Sequence, residues 1–230
     1  MATLRPPDPT YPAVIFDLDE TLIDGRPAWC YTLEETVMSV CYRRVDAKLL
    51  VAEYRRRPWR DALAIVVDAP DERLRCEELC ERIGGRSAMK RLLVFDGVGM
   101  ALDDIRGRRI EIGVISRLPH ALALKQAQAT GLDRFVTVLS PTPLGGSWEV
   151  AERAAECLAY FGRPAESCLF VGAGARDVEA GRAMGLAAAR AGWADRPGES
   201  DGGLARPGTV LDALAYGLDA RGLPLRTVAS

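Results

Sequence analysis

A single histidine is all that the chain holds in 230 residues, and none of its six cysteines forms a CxxC pair. A zinc site of the usual Cys/His spacing is thereby excluded. The lone His120 follows Pro119 near an expected helix start and reads as a surface residue rather than a catalytic base. Cys30, Cys41, Cys76, Cys80, Cys157 and Cys168 read as reduced, mostly buried small hydrophobes. Net charge is scarce too. At -2, with a pI near 5.6, it gives no electrostatic reason to expect nucleic acid or an anionic membrane, so the expected partners are small molecules. No apolar run approaches bilayer length, and the opening MATLRPPDPTYP lacks an apolar signal core, which points to a cytoplasmic protein. Lysine is missing altogether after Lys125.

What is present is an unusual carboxylate pair. In VIFDLDETL, residues 14 to 22, an apolar run of strand character ends in Asp17 and Asp19. Residues two apart in an extended chain point to the same side. Two ionised carboxylates about 5 Å apart repel by roughly 3 kcal/mol at an effective dielectric near 20. A bound cation, a shared proton or a buried, protonated aspartate would each compensate, and all three are properties of active sites.

Further apolar runs recur as IEIGVIS (110–116), FVTVLS (135–140), CLFVGA (168–173) and LAAARA (186–191), separated by helix-like segments that stop at Gly131, Gly162 and Gly185. Strands buried on both faces read as continuous apolar runs, and strand-helix alternation implies a parallel sheet between helices. The expected core, residues 1–24 and 91–230, is a doubly wound, Rossmann-like α/β domain, whose ligands bind at the carboxyl ends of the strands. Residues 25–90 break the alternation. Cys76, Leu79, Cys80 and Ile83 follow amphipathic-helix spacing behind Pro70, and ETVMSVCYRRV and DAKLLVAEYRRR also look helical, so an inserted all-helical cap is expected. The basic run Arg55-Arg56-Arg57 fans around such a helix instead of lining one face, and reads as a solvated end broken by Pro58.

Three segments carry a family resemblance. FDLDETL is similar to the first motif, DxDxT, of haloacid dehalogenase (HAD) superfamily hydrolases. VISRLP, behind FDGVGMALDDI, resembles the second motif, a strand ending in Ser or Thr, and VGAGARDVEAGRAMG resembles the frame of the fourth. The resemblance implies a phosphatase in which Asp17 attacks phosphorus, Asp19 protonates the leaving oxygen and then activates water, Thr21 supports the loop and Ser116 holds a phosphoryl oxygen. It also implies Mg²⁺, with Asp17, Asp19 and Asp177 as candidate ligands, and a small phosphorylated metabolite as substrate. Asp19 distinguishes the chain from true dehalogenases, which lack that aspartate.

Two departures stand out. Where the fourth motif offers an acid directly after VG, this chain has Ala173 and then Gly174. The third motif's lysine has no counterpart in PTPLGGSWEV, leaving Arg117 or Arg153 as candidate phosphate-binding cations and Trp148 to fill the vacated space. The expectation is a weak Mg²⁺-dependent phosphatase. The alternative is a non-catalytic HAD-like protein that binds a ligand or partner.

Overall fold

The computed structural model describes residues 9–46, 49–50, 53, 59–146, 148–195 and 203–226. The basic segment at 54–58 lies outside them. Along the chain run β1 (Ala13–Asp17), β2 (Ile23–Asp24), α1 (Arg26–Cys41), α2 (Trp59–Val66), α3 (Pro70–Gly84), β3 (Leu93–Val94) and α4 (Val98–Gly107). There follow β4 (Glu111–Pro119), α5 (His120–Ala129), β5 (Val138–Thr142), α6 (Val150–Phe161), β6 (Cys168–Gly172), α7 (Ala175–Ala183), β7 (Ala187–Arg190) and α8 (Thr209–Tyr216).

The apolar runs that read as doubly buried strands form one five-stranded sheet in the order β5-β4-β1-β6-β7, and every neighbouring pair in it is parallel. This is the doubly wound arrangement expected of strands that alternate with helices. Every residue of β1 and of β6 is buried. Ile15, Ile115, Ala154, Cys157, Phe170, Val178 and Ala188 belong to one apolar cluster, which ties the sheet to α6 and α7. Helix α7 packs tightly on the Phe170 ring of β6. A Cβ on Gly181 would lie 2.9 Å from Phe170 Cδ1, so only glycine lets the helix sit against that ring. Gly181→Ala should therefore destabilise the protein by about 1–3 kcal/mol, the usual cost of overpacking, measurable as a lowered denaturant midpoint at unchanged m.

The chain divides into two compact units, Met1–Ile23 with Val94–Ser230, and Asp24–Leu93. Within the second, α1, α2 and α3 bury Leu33, Val37, Leu63, Val67, Cys76 and Cys80. Helix α1 begins at Arg26, well before the ETVMSVC segment in which sequence marked it, with Pro27 in its first turn. Strand β5 begins at Val138 and runs through Pro141, so Phe135 precedes it in a buried turn. Proline is tolerated there because β5 is an edge strand. All six cysteines are free, and four of them are buried. No helix among the described residues is long and apolar enough to cross a membrane.

Candidate active site

Strand β1 ends at Asp17, which is 2% exposed, and the sheet continues one residue further as Leu18 N–H donates to Ile115 O at 2.8 Å. The chain then folds back sharply. The amides of Leu22 and Ile23 both return to Leu18 O, at 3.2 and 3.1 Å, and Glu20 takes φ 65°, a left-handed conformation rare outside glycine. This turn carries Asp19 across to the end of β4. There Ser116 Oγ donates to Asp19 Oδ2 at 2.9 Å, and Arg117 N–H donates to the same oxygen at 3.2 Å. Ser116 is itself fixed from both sides, since Leu118 N–H donates to its Oγ and the Thr142 hydroxyl donates to its carbonyl, each at 3.1 Å.

The third component comes from the loop behind β6. Asp177 lies in the first turn of α7 and is largely buried. Its Oδ2 accepts from Arg117 Nη2 at 2.5 Å, and Trp148 Nε1 lies 3.5 Å from its Oδ1. The Arg117 guanidinium also lies over the Trp148 ring, 4.9 Å from the centroid. Gly174 makes room for this arrangement: a Cβ there would stand 2.6 Å from Asp177 Oδ2.

Electrostatics follow from burial. Loss of hydration holds the Asp17 carboxyl well above its usual range, repulsion from Asp19 and Asp177 adds to this, and Arg117 opposes it. Burial raises Asp19 too, against the hydrogen bonds from Ser116 and the Arg117 amide. An acid raised in this way still carries its proton when a leaving group needs it.

Magnesium requires several oxygens at near-octahedral angles. Asp17 Oδ1 is buried and has no hydrogen-bond partner among the described residues, which suits a cation. The rest of the donor set does not. Asp177 is held by Arg117, position 173 is an alanine, and among the described residues no group of three or more His, Cys, Asp or Glu could hold a metal ion. Asp17, Asp19 and Asp177 are thus not assembled as the ligand set that the sequence suggested, because an arginine stands against the third carboxylate.

The two candidate arginines separate clearly. Arg153 is 6% exposed. Its Nη1 donates to Pro141 O and Glu156, and its Nη2 to Glu152, which is a structural network between α6 and β5. Arg117 is the one beside Asp17, Asp19 and Asp177. Thr21 is fully buried and its hydroxyl has no hydrogen-bond partner among the described residues, while its carbonyl accepts from Trp193 Nε1 at 2.9 Å. Sequence reading passed over Trp193 and Thr142. One lies in a glycine- and proline-rich stretch and the other follows a proline; neither type announces a contact to a motif.

A family model described as haloacid dehalogenase-like hydrolase matches residues 11–185. A phosphoglycolate phosphatase of Xanthomonas campestris pv. campestris is 29% identical over 200 residues, covering 82% of this chain and 86% of that protein. One from Synechococcus elongatus is 27% identical over 184 residues, covering 79% and 84%. Among solved structures, a putative beta-phosphoglucomutase from Thermotoga maritima superposes at TM-score 0.70 and 18% identity over 88% of this chain and 97% of that one. A putative phosphatase from Clostridium difficile gives 0.69 at 16% identity over 77% and 83%. At such identities the two structures speak for the fold.

Proposed function

The chain belongs to the haloacid dehalogenase-like hydrolase family, and from that premise we propose that it hydrolyses a small phosphomonoester through a phosphoryl intermediate on Asp17. The observation that carries this reading is the hydrogen-bonded set at the strand ends: a buried Asp17 with a free oxygen, beside an Asp19 oriented by Ser116. In the first step an Asp17 oxygen attacks phosphorus and the bond to the leaving oxygen breaks, while Asp19 gives that oxygen its proton. In the second, Asp19 takes a proton from water, the water oxygen attacks phosphorus and the Asp17–phosphorus bond breaks, releasing inorganic phosphate. Ser116 donates its hydroxyl hydrogen to Asp19 and so orients that carboxylate. Asp177, expected with Asp17 and Asp19 as a Mg²⁺ ligand, is paired with Arg117, and the metal takes no part in either step.

The relatives named phosphoglycolate phosphatase make phosphoglycolate the first substrate to assay. Acid quenching during turnover should leave a phosphoryl adduct on the peptide that contains Asp17, detectable by mass spectrometry and removed by hydroxylamine. Phosphate release without that adduct, or an adduct on another residue, would sink the assignment of Asp17 as nucleophile.

A further inference from the structure

Three carboxylates from two segments lie around Arg117, so the cation among them is part of the chain. Asp17, Asp19 and Asp177 bring up to three negative charges to a site that must admit a phosphoryl dianion. The lysine and the second acid expected of such a site are missing. Arg117 meets two of these carboxylates: its amide donates to Asp19 and its Nη2 pairs with Asp177. One face of the guanidinium lies on Trp148. The side chain nevertheless remains half exposed, and neither Nε nor Nη1 has a protein acceptor among the described residues. An arginine fork with its position fixed and two donor groups open is suited to bind a phosphate in bidentate fashion.

We propose that Arg117 is the resident cation of this site, positioned by Asp177 and Trp148, and that it binds the phosphoryl group of the substrate without a divalent metal. The inference rests on the phosphatase reading and supplies its charge. A guanidinium aimed at the phosphoryl oxygens neutralises developing charge much as a metal would, and its partner Asp177 is thereby unavailable as a metal ligand. Trp148 serves as a platform beneath the guanidinium plane, which is a structural reason for an aromatic residue where a lysine is expected.

The test is calorimetric titration of the full-length protein with inorganic phosphate, in excess EDTA and again in Mg²⁺. Binding in EDTA is expected, and Arg117→Gln should weaken it on the order of 10- to 100-fold, the range of a lost charge-assisted hydrogen bond. Arg117→Lys should fall between the two, since it keeps the charge but loses the fork and the stacked plane. Thermal unfolding gives a readout independent of phosphate: Arg117→Gln frees Asp177 and should gain a Mg²⁺-induced stabilisation that the wild type lacks. Phosphate binding that requires Mg²⁺ in the wild type would overturn the inference and leave the phosphatase reading standing. No phosphate binding in either buffer would sink both.

Discussion

Asp17→Asn is expected to abolish phosphomonoester turnover, by about 10⁴-fold or more, and at neutral pH to make the protein more stable. The loss of activity follows because an amide oxygen cannot form the acyl-phosphate bond. The gain in stability follows from burial. Asp17 is 2% exposed and its Oδ1 has no hydrogen-bond partner among the described residues. Asparagine keeps a buried oxygen but carries no charge; an unsatisfied buried group costs about 1–3 kcal/mol when neutral and more when charged, and at roughly 2–4 °C per kcal/mol for a chain of this size the difference should show as a shift in Tm. The pH dependence has a definite sign. The carboxyl of Asp17 is raised above its ordinary value of 3.8, so the stability linked to it is fully present below the unfolded value and is lost as pH rises through the folded one. The asparagine variant has no such loss. Its advantage should be absent near pH 3.8 and grow toward neutrality. Equal melting temperatures at pH 7 would show that Asp17 is not an uncompensated buried carboxylate, whatever its role in catalysis.

The second large effect belongs to the other arginine. Arg153→Met is expected to destabilise the protein by about 2–3 kcal/mol and to leave phosphate affinity unchanged. The guanidinium of Arg153 is buried, and it joins Pro141 O to Glu156, whose other oxygen accepts from the Ser140 hydroxyl. Glu152 and Glu156 are more than half exposed and regain water when the arginine goes, which keeps the effect at the low end of that for a broken buried pair. Pro141 stands opposite Ser116 in the β4–β5 register, so this network braces the strand that carries the site. Unfolding titrations and phosphate calorimetry on the same variant separate the roles: weakened phosphate binding with unchanged stability would return Arg153 to the site.

Sequence pattern marks the sheet well because strands buried on both faces leave continuous apolar runs, as in AVIFD and CLFVG. It misplaces the start of β5, where Phe135 extends the apolar run into a turn, and Pro141, ordinarily a strand breaker, sits harmlessly on an edge. The first turns of α1 escaped notice because RPAWCYT spreads polar and apolar residues around the helix without a clear stripe. At the site, Asp17, Asp19 and Ser116 are legible from their motifs, and the structure brings Asp19 and Ser116 into contact. The choice between Arg117 and Arg153 is not legible. Both are arginines near the right segments, and only the packing of α6 shows that one is locked to Pro141 and two glutamates while the other meets Asp177. Likewise the stacking of Arg117 on Trp148 joins a residue of β4 to one in the loop before α6, a coincidence in space that no local pattern records.

The place of β1 at the middle of the sheet also constrains how the protein comes to be. Its Ala13 pairs with Glu111 on one side and Cys168 on the other, so the strand that emerges first during synthesis must wait for β4 and β6 before either edge is satisfied. Until then it is an apolar segment with two open edges, the kind of surface that aggregates or recruits chaperones. Closing such long loops is slow, and the parallel pairing rewards it only at the end. The contact between Asp19 and Ser116 cannot form before β1 and β4 have met, so recovery of phosphate binding in a refolding experiment should lag behind the return of helical signal.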